Sequence, residues 1–174
     1  MLYNDIINYF YPEDNPLRQL LLHHSRQVAN KALSIASAHC DWGIDCNLLE
    51  EAAMLHDIGI RECNAPGIYC FGTRPYIEHG KVGAEMIRNL PSSLLSPLSS
   101  LDSIARVCER HTGTGLPGYE PETLEEQIIC FADKFFSKSS PNKEKTKEEA
   151  CRSLMKFGEE GVEKFKCWCD KFLT

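Results

Sequence analysis

The apolar residues of this chain recur with the 3.6-residue period of an α-helix along almost its whole length, which constrains its fold more than any other feature. Alternating apolar runs long enough to form a sheet are absent from the sequence. The 174 residues are about the length of one domain. The sequence therefore predicts an all-α, single-domain bundle of about 6–8 helices. The pattern places the helices at 3–11, 16–40, 46–57, 77–90, 97–111, 122–138 and 143–171.

Proline and glycine residues suggest where these helices begin and end. Gly59 fits the end of the third helix, Pro91 stops the fourth, and Pro97 begins the fifth. Two long connections remain, at residues 60–76 and 112–121. Connections of this length in a compact domain often carry function.

Composition and charge argue against several classes of protein. No run of about 18 apolar residues is present, so we expect no transmembrane span. The N-terminus lacks the basic start and apolar core of a signal peptide. A net charge of −6 argues against general nucleic-acid binding and against binding to anionic membranes. The nine cysteines include no Cys-x-x-Cys pair and are expected to be reduced, which indicates a cytoplasmic protein.

Five predicted helices carry a titratable residue at the centre of their apolar face, where core residues belong. When each helix is projected at 100° per residue, apolar side chains surround the titratable one in every case. These residues are His24, His56, His79, His111 and Asp133. The other two histidines, His23 and His39, lie off these faces and are assigned a structural or surface role. Glu126 lies on the same side of its helix as Asp133, and Gly83 would allow close backbone approach beside His79.

The dipeptide His56-Asp57 adds a sixth such group. A buried, unpaired polar group costs on the order of 1–3 kcal/mol, and a bare carboxylate costs more, so six of them would consume most of a domain's stability. Coordination of metal ions would offset that cost. Imidazole and carboxylate suit Fe, Mn, Zn, Co or Ni, and helical bundles build metal sites from facing helices. The sequence therefore predicts a site for one or two divalent transition-metal ions.

The order of these residues resembles the HD superfamily of metal-dependent phosphohydrolases, and more narrowly its HDIG-type branch. The resemblance spans about residues 20–138 and rests on His24-Ser25, His56-Asp57-Ile58-Gly59, His79-Gly80, His111 and Ala132-Asp133. It implies a single all-helical HD domain over residues 1–174, with a metal-binding core at about 20–138 and a C-terminal helix at about 143–171. It also implies that one metal is held by His24, His56, Asp57 and Asp133. A second metal would be held by His79 and His111, with Asp57 bridging the two.

Differences between this sequence and particular branches of the superfamily narrow the class of substrate. The HD-GYP branch, which cleaves cyclic di-GMP, has a second histidine, a glutamate and a Gly-Tyr-Pro triplet after the equivalent of His111. Here Thr112-Gly113 follows, which disfavours that substrate. The branch that symmetrically hydrolyses dinucleoside tetraphosphates shares all six ligand positions, but its continuation is not evident after Asp133. Residues 119–133 are most similar to uncharacterised HDIG proteins, for which the family implies a reaction type and no substrate.

The resemblance implies that metal-activated water cleaves a phosphoester or phosphoanhydride. Asp57 and Asp133 are the candidate catalytic residues: Asp57 would position the metals, and Asp133 would orient the water or move its proton. We expect a small phosphorylated substrate, a nucleotide, whose base would stack on loop aromatics such as Tyr69 and Tyr76. The candidates for binding its phosphate are the cationic residues beside the motifs, Arg61, Lys81, Arg110 and Lys134.

Two other functions stay open at this stage. One is a non-catalytic HD domain that binds a nucleotide or signal and holds a structural metal, although closed structural sites are usually rich in cysteine. The other is a di-iron oxygenase, because some HD-fold proteins cleave C–C bonds with a similar ligand set. Four histidines and two aspartates are compatible with iron. The oligomeric state is not readable from the sequence.

Overall fold

The computed structural model describes residues 2–94, 100–113 and 118–174, and α-helix is the main element within these ranges. The described part of the chain contains eight α-helices, which confirms the predicted all-α class. Their bounds are α1 Leu2–Phe10, α2 Pro16–Ala38, α3 Cys46–Leu55, α4 His79–Arg88, α5 Leu101–Arg110, α6 Leu124–Asp133, α7 Lys147–Leu154 and α8 Glu159–Phe172. The predicted start of the fifth helix at Pro97 lies outside the described residues.

The long helix α2 forms the centre of the bundle. It packs against α3 and α6, while α4 packs against α5, and α3 also contacts α5. Fully buried alanines such as Ala29, Ala32, Ala52 and Ala53 line α2 and α3, so their backbones can approach closely. Pro16 occupies the first turn of α2, where its missing N–H costs no hydrogen bond. No described helix is long and apolar enough to span a membrane, and all nine cysteines are free thiols.

The chain turns sharply after α3, two residues before the position predicted for the helix end. His56 and Asp57 follow Leu55 directly, and a 3-10 helix then covers Ile58–Glu62. Gly59 lies inside this 3-10 helix, so its interpretation as a helix stop is wrong. A Cβ at Gly59 would stand 2.4 Å from the backbone nitrogen of Gly83 on α4. Gly59 therefore serves close packing of the turn against α4, and the predicted close approach at Gly83 is confirmed.

The connection between the turn and α4 contains a small three-stranded sheet that the sequence pattern does not predict. Its strands are β1 Cys63–Ala65, β2 Cys70–Phe71 and β3 Arg74–Pro75, in the order β2-β1-β3. β1 pairs antiparallel with β2 and parallel with β3. Strands of two or three residues are too short for alternation of apolar and polar residues to reveal them.

Two predicted helix ends near the C-terminus are wrong. Helix α6 starts at a capping box formed by Thr123 and Glu126 and ends at Asp133, not at residue 138. The expected single helix at 143–171 is instead α7 and α8, separated at Gly158, whose φ of 108° is a conformation that favours glycine. Phe165 and Phe172 of α8 lie 5.1 and 5.3 Å from the ring of Phe131, so α8 packs on α6.

Candidate metal centre

Three histidines at helix ends share one local arrangement. The Nδ1 atoms of His56, His79 and His111 each lie 2.6 Å from the carbonyl oxygen of the residue three positions earlier. A carbonyl only accepts hydrogen bonds, so Nδ1 carries the proton and donates it. In the neutral imidazole, Nε2 then carries the free lone pair, and its ring orientation is fixed. The fold therefore presents three Nε2 atoms as ready ligands.

The six sequence-predicted residues come together as two groups that share Asp57. The first group contains His24, His56, Asp57 and Asp133, and the second contains Asp57, His79 and His111. Within each group, the potential ligand atoms all lie within 4.8 Å of one another. Five helices, or the residues that directly follow them, deliver the side chains, as the helical projection predicts.

The two oxygens of Asp57 face different groups. Oδ2 lies 3.1 Å from Nε2 of both His24 and His56, whereas Oδ1 lies 3.2 Å from Nε2 of His79 and 3.5 Å from Nε2 of His111. Asp133 completes the first group, with Oδ1 at 3.0 Å from His24 Nε2. Asp57 therefore presents one oxygen to each group.

Burial and unsatisfied polar atoms test whether a metal fits these residues. His24, His56, Asp57, His79 and His111 are all buried, and Asp57 is 0% exposed. Neither oxygen of Asp57 makes a well-aligned hydrogen bond to a described residue, although the Lys138 ammonium lies 2.6 Å from Oδ2. The Nε2 atoms of His79 and His111 lie 3.0 Å apart with their lone pairs facing each other. A bound cation would satisfy all of these atoms, so the donor set fits a divalent transition metal.

The electrostatics keep the carboxylates ionised and one histidine neutral. Burial by itself would raise the pKa of Asp57, but the Lys138 ammonium and His56 hold it well below its usual range. Burial would likewise raise the pKa of Asp133, and Lys134 and the imidazoles of His24 and His56 lower it. The pKa of His111 falls to about 4 because burial disfavours its charged form.

His56 behaves differently from His111 in the metal-free protein. Burial would lower its pKa, but the neighbouring carboxylates of Asp57 and Asp133 raise it to about 9. The His56 imidazole therefore carries a second proton, on Nε2, at neutral pH until a metal displaces it.

Lys138 is a residue of this site that the sequence analysis missed. Its Nζ lies 2.6 Å from Oδ2 of Asp57, and its side chain is 12% exposed. The residue follows α6 in a turn, so its position depends on where that helix ends. The stretch Ser137-Lys138-Ser139-Ser140-Pro141 is typical of a turn and is the signal that argues against a helix to residue 138.

Of the four cationic residues proposed to bind the substrate, Lys134 lies at the site. Its Nζ donates to the His111 carbonyl at 3.0 Å and stands 3.3 Å from Oδ2 of Asp133. Arg61 instead pairs with Glu62 at 3.1 Å and lines a different cavity.

The other two candidates are turned elsewhere. Arg110 pairs with Glu122 at 3.3 Å, and Lys81 is exposed on α4 away from the residues that line the site's cavity. Glu126 is buried, but it pairs with Arg106 at 2.9 Å and caps α6, so it does not join the centre.

A cavity of about 570 Å³ opens beside the two groups. His79, His111 and Asp133 reach it from the centre, and Asp133 is the most exposed of the six residues, at 16% of its side chain. Four lysines line the cavity: Lys134, Lys138, Lys145 and Lys156. Asp133 is the one carboxylate among the described lining residues, so the cavity is suited to an anion.

Loop aromatics divide between this cavity and the surface. Tyr76 lines the cavity and stacks on His79, with ring centres 4.6 Å apart and planes at 21°. Tyr69 and Phe71 are exposed and line the other cavity together with Arg61. Of the loop aromatics considered for stacking on a base, Tyr76 is therefore the one that the structure brings to the centre.

Comparison with known proteins gives a family match and three informative relatives. The family model described as HD domain matches residues 21–137. A tRNA (cytidine(56)-2'-O)-methyltransferase of Thermoplasma volcanium is 28% identical over 129 residues, which cover 67% of this chain and 32% of the relative. Its namesake in Picrophilus torridus is 28% identical over 159 residues, covering 79% of this chain and 40% of the relative. An uncharacterized protein of Methanocaldococcus jannaschii is 30% identical over 127 residues, covering 65% of this chain and 64% of the relative.

Proposed function

This chain belongs to the HD domain family, and on that basis we propose that it is a metal-dependent phosphohydrolase that cleaves a phosphoester or phosphoanhydride of a small molecule. One observation carries the proposal. The buried carboxylate of Asp57 turns one oxygen to each of two His/Asp groups, and both groups border a cavity lined by four lysines. Metal ligands and phosphate-binding cations thus share one site.

The residues for the metals follow from the geometry. We propose that His24, His56, Asp57 and Asp133 hold one divalent transition-metal ion. His79 and His111 hold a second, with Asp57 shared. A bound ion supplies a water of lowered pKa and positive charge for the phosphoryl oxygens.

The protein's own side chains perform the remaining steps. Asp133 faces the cavity as an ionised carboxylate and orients the attacking water by accepting a hydrogen bond from it. A P–O bond forms from the water, the bond to the leaving oxygen breaks, and the water's proton passes by way of Asp133 to the leaving oxygen. Lys134 and Lys138 hold the phosphoryl oxygens and stabilise the charge that develops on them.

A nucleotide is the substrate class that this cavity favours. Its volume of about 570 Å³ lies within the range of small-molecule pockets, roughly 300–1,000 Å³. The chain carries a net charge of −6, so the four lysines of the cavity suit one small phosphorylated molecule better than a long nucleic acid. The methyltransferase activity in two relatives' names belongs to proteins of which this chain covers 32% and 40%. The His/Asp centre supports hydrolysis instead.

We further propose that residues 1–174 act as one HD domain with its metal-binding core at about 20–138. Helix α8 packs on α6 through Phe165 and Phe172, and α7 lines the same cavity as the metal-binding groups. This packing and the contribution of α7 to the cavity support including the C-terminal helices in the domain.

Elemental analysis and a phosphoester panel test the proposal, with adjacent histidines as matched variants. His24→Ala and Asp57→Ala should remove most of the bound metal and lower phosphoester hydrolysis by roughly 100-fold or more. His23→Ala should change neither, because His23 contacts the Pro141 carbonyl outside the centre. Unchanged metal content and activity in His24→Ala and Asp57→Ala would place the site elsewhere. Tight nucleotide binding without turnover would favour the non-catalytic binding function over hydrolysis. Metal-dependent oxygen consumption would favour the oxygenase function.

A further inference from the structure

One wall of the cavity comes from a part of the chain beyond the residues that match the HD domain. The family match ends at residue 137, whereas the lining continues through α7 and the 3-10 turn Met155–Phe157. Leu154, Lys156 and Phe157 line this wall. The family's common core therefore supplies the metal ligands, and a segment outside it shapes the space around the substrate.

A second part of the lining is largely apolar. It comes from the loop before α4 and includes Pro66, Ile68, Tyr76 and Ile77. Tyr76 is held in place by its stacking on His79. The lysines that reach Asp57 and Asp133 line the same cavity, so its lining combines cationic and apolar side chains.

Phe157 is an unusual residue for such a wall. Its side chain is 59% exposed, although it lines the cavity. A large aromatic side chain left in contact with water beside a site is a feature of ligand-binding surfaces. The Lys156 ammonium lies 4.8 Å from the centre of the Phe157 ring and places a positive charge on the same wall.

We infer that Phe157 is a specificity-determining residue that holds the planar organic group of a phosphomonoester, while the phosphate lies against Lys134 and Lys138. This inference rests on the proposed function. A planar ring is favoured because the lining from the loop before α4 is apolar and Phe157 offers an aromatic face. Lys156 adds a cation beside Phe157, but the apolar side chains of the loop before α4 favour an organic ring over a second phosphate. Stacking of a nucleobase on an aromatic residue contributes enough that its removal weakens binding by roughly 5- to 100-fold.

Calorimetric binding of adenosine, a nucleoside without phosphate, tests the wall independently of hydrolysis. Adenosine should bind the wild-type protein, and Phe157→Ala should weaken that binding by roughly 10-fold. Met155→Ala is the matched control, because Met155 is 52% exposed on the same turn and is not among the residues that line the cavity. The inference is overturned if adenosine does not bind, or if Phe157→Ala binds it as tightly as Met155→Ala.

A second measurement separates this inference from the proposed function. In the metal-loaded protein, Phe157→Ala should raise KM for adenosine 5′-monophosphate by roughly 10-fold and leave KM for glycerol 2-phosphate unchanged. Hydrolysis of both esters with no effect of Phe157→Ala on either would overturn the inference and leave the phosphohydrolase intact. Adenosine binding that depends on Phe157, without hydrolysis of any phosphoester, would overturn the proposed function and leave the inference standing.

Discussion

Gly59 offers a direct test of how the His-Asp turn is packed against α4. In Gly59→Ala the new Cβ would lie 2.3 Å from the His79 carbonyl oxygen and 2.4 Å from the Gly83 nitrogen, whereas ordinary contact begins at 3.4 Å. Both atoms belong to backbone and cannot rotate away. The turn and α4 must therefore separate by about 1 Å.

The cost of that separation can be estimated from overpacked cores. Overpacking of this kind costs typically 1–3 kcal/mol and occasionally more, and the rigid neighbours place Gly59→Ala at or just above the upper end, at about 2–4 kcal/mol. For a domain of this size the melting temperature should fall by roughly 4–15 °C. Because α4 begins at His79, the same movement lengthens the 3.2 Å approach of His79 Nε2 to Asp57. The group with His79 and His111 should then lose metal before the group with His24 does.

Urea denaturation of the protein after its metal has been removed with a chelator measures the loss of stability. Metal analysis after the protein is reloaded measures the loss of metal from each variant. Gly67→Ala is the control, because a Cβ there meets no atom within 4 Å. Such a change is neutral or stabilises slightly. If Gly59→Ala unfolds within about 0.5 kcal/mol of Gly67→Ala and retains its full metal content, the reasoning about close packing is refuted.

Three further predictions address charge and burial. Lys138→Met should lower kcat/KM for phosphomonoesters by roughly 10- to 100-fold, since a cation beside the phosphate is lost. The control Lys81→Met changes an exposed lysine and should leave kcat/KM unchanged. Equal kcat/KM values for the two variants would exclude a role for Lys138. The pKa of His56 is raised from 6.5 to about 9. The charged imidazole therefore stabilises the metal-free protein fully below pH 6.5, and this stabilisation is lost as the pH rises through 9. Metal affinity should correspondingly strengthen toward pH 9 with proton release, measured by calorimetry in two buffers, and a pH-independent affinity would contradict this. A thiol reagent at pH 8 should react rapidly with three exposed cysteines and with the buried cysteines only after unfolding. Burial also lowers thiol reactivity by raising the pKa, which for Cys70 rises to about 11. Rapid reaction of all nine cysteines in the folded protein would contradict their burial. The exposed cysteines are Cys40, Cys46 and Cys167.

The sequence predicts the candidate His/Asp centre because five of its residues interrupt apolar helix faces and Asp57 directly follows one of them. His24 and His79, for example, occupy positions where a periodic helix would bury leucine or valine. A buried polar group needs a partner, and that requirement made several such residues informative together. The all-helical fold followed from the same period, and the HD resemblance, confirmed by the family match, followed from the order of the residues.

Local pattern was least reliable where a helix ends. Asp133 is the last residue of α6, but Phe135 and Phe136 continue the apolar pattern beyond it. That pattern extended the predicted helix and placed Lys138 on it, away from Asp57. The break at Gly158 was hidden in the same way, because the apolar residues on both sides keep a helical period.

The sequence alone determined the helical architecture and singled out the six residues of the candidate centre. These properties depend on periodicity and residue chemistry, which a linear chain displays directly. The tertiary structure decided which cations stand beside the centre. Lys138 reaches Asp57 across 81 positions of the chain, and Phe157 reaches the cavity from beyond the family core. Such contacts depend on how whole helices pack and where they turn, and no local pattern encodes the distance between two residues that far apart.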